Sequence, residues 1–91
     1  MGRRKRSRQA VELGWRFGQN LVELRGRAGL SQIGTAERAG LNRTEINLLE
    51  HGRRVPRLDT IVKLAGAVEV EPCALLTGLA WDLDSPEEGA E

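Results

Sequence analysis

Chemistry that needs sulfur, imidazole or stacked rings has almost no material in this chain: its 91 residues include one cysteine, one histidine, one phenylalanine, two tryptophans and no tyrosine. Cys73 has no partner for an internal disulfide, which suits a reducing compartment, and it reads as a small buried hydrophobe rather than a redox switch. His51 and Cys73 together cannot complete a zinc site, so neither a metal nor another cofactor is expected. With no second histidine, no carboxylate cluster outside the C-terminal tail and no phosphate-cradling glycine loop, no catalytic constellation can be assembled, and an enzyme is not expected.

Long apolar runs are missing as well. The longest uncharged stretch, Pro72 to Trp81, falls far short of the ~20 residues that a bilayer-spanning helix requires. Glu12 and Arg16 interrupt the basic start before a secretory core could form, so a cytoplasmic protein with no membrane association is expected. The composition, 40% hydrophobic but 3% aromatic and 30% charged, describes one small soluble domain with an aliphatic core. A net charge of +1 hides a polar distribution of charge. Arg3, Arg4, Lys5, Arg6 and Arg8 stand at one end, and Asp82, Asp84, Glu87, Glu88 and Glu91 at the other. The chain therefore divides into a basic arm over 1–10, a folded domain over 11–81 and an acidic tail over 82–91. The arm reads either as solvated chain or as an extension that follows a DNA groove. For the tail, the readings are solubility, folding onto the arm, or contact with a protein partner.

Strand-like alternation is absent, and the apolar residues recur at helical spacing, so the fold class is all-α. Leu13, Phe17, Leu21, Leu24 and Ala28 share one stripe of a first helix that Gly29 stops; Trp15 lies opposite, against the arm, a second subunit or solvent. Ser31 is placed to cap a short second helix over 32–39, and Gly40 closes it. Asn42 caps a third helix, with Glu45 three positions on in the arrangement of a capping box, and this helix ends at Gly52. A basic loop follows from Arg53 to Pro56. Leu58, Ile61, Leu64, Ala65 and Val68 then line a fourth helix, and Pro72 opens a fifth with Leu75 and Leu76 inward.

Two short helices separated by Gly40, Leu41 and Asn42 form a helix-turn-helix, whose second helix enters a major groove. On that helix Ile46, Leu49 and Glu50 fall to one side, while Arg43, Thr44, Asn47, Leu48 and His51 fall to the other. The second set offers donors and one exposed leucine, which suits base edges and thymine methyl groups. Glu50 on the core side needs a compensating charge, and Arg25 at the edge of the first helix's stripe is the candidate; the alternative is that both are solvent-exposed.

The sequence Phe17-Gly18, Leu21, Leu24-Arg25, Gly29-Leu30-Ser31-Gln32, Ala36, Ala39-Gly40, Asn42-Arg43, Ile46, Glu50, Gly52, Pro56, Leu64-Ala65 and Leu75-Leu76 resembles the phage repressor/Cro-type, or XRE-like, helix-turn-helix family. The resemblance spans about two thirds of the chain and rests on joint spacing rather than one short motif. It implies a five-helix lambda-repressor-like bundle that binds double-stranded DNA and regulates transcription. It further implies base contacts from Arg43, Thr44, Asn47 and Leu48, and backbone contacts from Ser31, Gln32, His51, Arg53, Arg54 and Arg57. Gln32 would also buttress the recognition helix, and the Arg25–Glu50 pair would be buried. Gly34 and Thr35 depart from the family pattern and predict a loosely held second helix; Arg57 replaces the usual small polar cap of the fourth. A homodimer on a palindromic operator is expected, because one recognition helix buries little surface, with Leu58 and the segment 70–81 as the candidate interface. The alternative is a protein-interaction module on the same fold, antitoxin-like or polymerase-contacting. RNA ranks lower, for want of an aromatic stacking platform.

Overall fold

The computed structural model describes residues 7–84. Arg3 to Arg6, Glu87, Glu88 and Glu91 lie outside them, and so do the readings placed on those residues. Five helices and no strand occur among the described residues: α1 (Arg8–Arg27), α2 (Gln32–Ala39), α3 (Arg43–Glu50), α4 (Leu58–Val68) and α5 (Pro72–Leu75). The bundle encloses an aliphatic core of Leu21, Ile46, Leu49, Leu64 and Leu75 around the single phenylalanine, Phe17. Ala36, Ala39, Ala65 and Ala67 are buried among them, and their small side chains let the short helices approach closely.

Each local start signal has a visible physical cause. Ser7 Oγ accepts a hydrogen bond from Ala10 N at 3.2 Å and so begins α1 at Arg8, inside the segment read as an arm. Ser31 Oγ accepts from Gly34 N at 2.9 Å and Asn42 Oδ1 from Glu45 N at 2.8 Å, which start α2 and α3. Gly40 ends α2 in the left-handed conformation, φ 72°, which a residue with a side chain rarely adopts. Arg57 offers no side-chain cap to α4.

Four expectations about burial change. Leu58 is 78% exposed, and Thr60 is buried instead, because the first turn of α4 projects beyond the core before its inner arc of Thr60, Leu64, Ala67 and Val68 begins. Leu76 is exposed because α5 stops at Leu75 and Leu76 is only its cap. Ala28 is exposed for the same reason at the end of α1. Cys73, in the first turn of α5, faces solvent rather than the core.

Both departures in α2, Gly34 and Thr35, have a local compensation. Thr35 is fully buried, and its hydroxyl donates to Ser31 O at 2.9 Å, so the polar group sits in the core without an unmet hydrogen bond. A Cβ at Gly34 would approach the capping Ser31 Oγ at 3.3 Å, so a glycine there leaves the cap undisturbed.

Two side-chain amides fasten the far end of the chain to α1. Asn20 Nδ2 donates to Leu75 O and Thr77 O, both at 2.9 Å, closing α5. Gln9 Oε1 accepts from Asp82 N at 2.7 Å while Gln9 Nε2 donates to Asp82 O at 3.1 Å. The start of the acidic segment is thereby held beside the start of the basic helix. No helix among the described residues is long and apolar enough to cross a membrane.

Candidate nucleic-acid interface

The position of α3 is fixed from three sides. Ile46 and Leu49 are fully buried beneath it. At its C-terminal end the backbone itself touches α1: a Cβ at Gly18 would lie 2.4 Å from Leu49 O and 2.8 Å from Glu50 O, so only a residue without one allows this approach. Gly52 ends the turn that follows with φ 69°, and a Cβ there would meet Trp15 Cα at 3.0 Å. Trp15 thus packs on the loop after α3 while remaining 51% exposed as a residue.

The third restraint is polar. Glu50, with a side chain only 4% exposed, is paired with Arg25 through Nε, and Arg25 Nη2 donates to Glu50 Oε1 at 3.1 Å. Gln32 Nε2 donates to the same Oε1 at 2.8 Å, and Arg25 Nη1 donates to Leu30 O at 3.1 Å. This network joins α1, the turn before α2, α2 and α3, and it leaves neither buried charge without partners. The hydrogen bond to Glu50 raises the Arg25 guanidinium above its ordinary pKa; partial burial opposes the rise and the charge of Glu50 adds to it. Of the two readings of Arg25 and Glu50, the buried pair is the one found.

With its inner side so occupied, α3 turns Arg43 and Thr44 to solvent, and together with the half-buried Asn47 they line one shallow concavity. Leu48 is half-buried rather than exposed, because it sits at the edge where α3 meets the rest of the bundle. His51 caps α3, is exposed, and has Nδ1 at 2.9 Å from Asn47 O. Ser31 is exposed and half-buried Gln32 follows it, both at the start of α2. The Ser31 oxygen accepts the capping bond, and its own hydroxyl proton stays available to a further acceptor.

The three arginines of the following loop are exposed but not equivalent. Arg53 makes no ion pair with a described residue, and neither does Arg43 on α3. Arg54 is paired with Glu45, and Arg57 Nε lies 3.3 Å from Asp59 Oδ1. Glu45 therefore completes only half of the expected capping box: its backbone N–H is bonded to Asn42, but its carboxylate turns to Arg54. The sequence carried no signal for that pair, whose members are joined only through the path of the loop. The close approach at Gly18 was equally hidden, since a glycine inside a helical pattern does not reveal what lies against it. Among the described residues, no group of three or more histidine, cysteine or carboxylate side chains is arranged to hold a metal ion.

Comparison with known proteins bears on this surface. The family described as "Helix-turn-helix domain" matches residues 16–76, a span that holds α2, α3 and the loop beyond. A relative named an uncharacterized HTH-type transcriptional regulator, y4dJ of Sinorhizobium fredii, is 37% identical over 60 residues, 66% of this chain and 78% of its own. Among solved structures, the restriction-modification controller protein C.AhdI from Aeromonas hydrophila superposes with a TM-score of 0.70 at 42% identity, covering 71% of this chain and 94% of that one. The transcription factor NHTF from Neisseria, titled hypothetical, gives 0.69 at 29% identity over 79% of this chain and 83% of its own. An HTH_3 family transcriptional regulator from Vibrio cholerae gives 0.70 at 27% identity over 72% of this chain, which spans only 37% of that longer protein.

Proposed function

Because the chain belongs to the XRE-like helix-turn-helix family of DNA-binding transcription regulators, we propose that α3 lies in the major groove and that two copies read a palindromic operator. One observation carries this reading: Arg43, Thr44 and Asn47 open outward together from a helix whose Ile46, Leu49 and Glu50 are locked inward. A guanidinium forks onto the O6 and N7 of guanine, and a carboxamide matches the N6 and N7 of adenine. Leu48, at the edge of that face, is suited to a thymine methyl group. Arg53, which makes no ion pair with a described residue, is the leading phosphate contact, joined by His51, by Ser31 and Gln32 at the start of α2, and by Arg57 beyond the loop. Such contacts fix register without reading sequence.

The dimer surface is assigned to the apolar side chains that the bundle leaves outside: Val55 in the loop after α3, Leu58 and Val62 on α4, and Leu76 and Trp81 after α5. Two half-sites about 34 Å apart, one turn of duplex, are then addressed at once. The likeness to a restriction-modification controller protein supports transcription control as the output, and DNA as ligand supports a cytoplasmic location.

Selection from a random duplex pool with the purified protein tests the reading. An inverted repeat with half-sites centred about 10 base pairs apart is expected. A pool that stays unenriched, or a protein that remains monomeric at operator-binding concentration, contradicts it.

A further inference from the structure

Adjacent arginines in the loop after α3 have different surroundings. Arg53 makes no ion pair with a described residue, whereas Arg54 Nη1 is hydrogen-bonded to Glu45 Oε1. Glu45 is held firmly: it sits in the first turn of α3, its backbone N–H is fixed by Asn42 Oδ1 at 2.8 Å, and its side chain is only 21% exposed. The other acid of the same hollow, Asp59, is engaged by Arg57 at 3.3 Å and by Lys63 at 3.6 Å. Glu45 is thus the acid left to Arg54 among the described residues.

A phosphate and a carboxylate compete for the same guanidinium fork. A duplex that drew Arg54 away would leave a largely buried carboxylate unpaired beside a polyanion, so that a new phosphate pairing would break one ion pair and create one repulsion. Glu45, tethered at contact distance, has the advantage. We propose that Glu45 keeps Arg54 when the protein is on DNA, so that the pair adds no net phosphate contact. Glu45 is then a positioning residue that limits sequence-independent affinity and raises the share of binding carried by base contacts. This rests on the reading of α3 as the DNA-contacting helix, and it takes Arg54 out of the set of backbone contacts that the family resemblance implies.

The salt dependence of binding separates this role from a merely structural one. Affinity for the selected operator and for a scrambled duplex is measured between 50 and 200 mM salt for the unmodified protein, Glu45→Gln, and Glu45→Gln with Arg54→Gln. Each phosphate contact contributes about 0.9 to the slope of log K against log salt. Glu45→Gln frees Arg54 and is expected to steepen the slope by about that amount on both duplexes, which is about 3.5-fold more affinity lost across the range. The double variant is expected to return to the slope of the unmodified protein. In the unmodified protein, the Arg54 Nε–H resonance is expected to hold its position when duplex is added, a readout that needs no variant to fold. A double variant shallower than the unmodified protein by about 0.9 would show Arg54 to be an independent clamp and overturn the proposal. So would an unchanged slope for Glu45→Gln, or a shifted Arg54 resonance. Absence of binding to either duplex by the unmodified protein would overturn the underlying reading and the proposal with it, a result distinct from any of these slopes.

Discussion

Gly18 and Gly66 both stand inside helices, and the space around each gives opposite consequences for the same substitution. At Gly18 a methyl group would collide with the backbone carbonyls of Leu49 and Glu50, atoms that cannot swing aside. Gly18→Ala is expected to lower unfolding free energy by about 3 kcal/mol, the upper end for overpacking, because α3 as a whole must move. At Gly66 nothing lies within 4 Å of the added carbon, so Gly66→Ala is expected to raise stability by about 0.5–1 kcal/mol through helix propensity and a less flexible unfolded chain. Urea denaturation of the two variants measures both. Arg25→Ala leaves Glu50 buried with only Gln32. A loss of about 3 kcal/mol is expected, at the low end for breaking a buried pair because part of the Arg25 side chain reaches solvent. The raised pKa of Arg25 implies that its share of this stability is complete at every pH below the ordinary arginine range and is lost only as pH rises through the folded-state value. The stability difference between the unmodified protein and Arg25→Ala should therefore not drift between pH 6 and 9 on account of Arg25.

At the scale of the element, α2 was legible in the sequence to its end residues and α3 to within about one residue at its start and two at its end, because their signals are local: Ser31 and Asn42 at the starts, Gly40 and Gly52 after the ends. Helix α4 shows what happens when such a signal is missing. Its cap position holds Arg57, which makes no capping bond, so the first N–H groups of α4 gain nothing from that side chain. Arg57→Ser is expected to stabilise the fold by about 0.5–1 kcal/mol, as a new cap usually does. The same change is expected to weaken DNA binding if Arg57 meets the duplex as proposed. A variant that melts higher yet binds operator less tightly is the predicted combination, and a melting point unchanged or lowered would contradict the capping argument. The first turn of α4 and the residue after α5 depart from expectation for one reason: periodicity identifies a stripe but not where along it the core begins or ends. Leu58 and Leu76 satisfy the spacing and still fall outside.

At the scale of the molecule, what the sequence concealed lies in contacts between distant segments. Gln9 clasping Asp82, Asn20 closing α5, Glu45 holding Arg54 and the touching backbones at Gly18 all depend on how the helices are arranged, and no window of neighbouring residues records them. The Arg25–Glu50 pair was the exception, because a carboxylate on an apolar face demands a partner and the chain offered a suitable one. The site is held in the same way as the fold. Buried leucine and isoleucine, a glycine contact and an ion-pair network place α3 so that its outer residues need only point away. The central claim is that this outward face reads bases while the neighbouring loop holds phosphates. Quantitative binding of Arg43→Ala and Arg53→Ala to the selected operator and to a full set of its single-base variants tests it most directly. Arg43→Ala should lose about 1–3 kcal/mol of discrimination at one base position of each half-site, whereas Arg53→Ala should weaken every sequence alike and make the salt slope shallower by about one. Uniform loss across all sequences for Arg43→Ala would contradict the account.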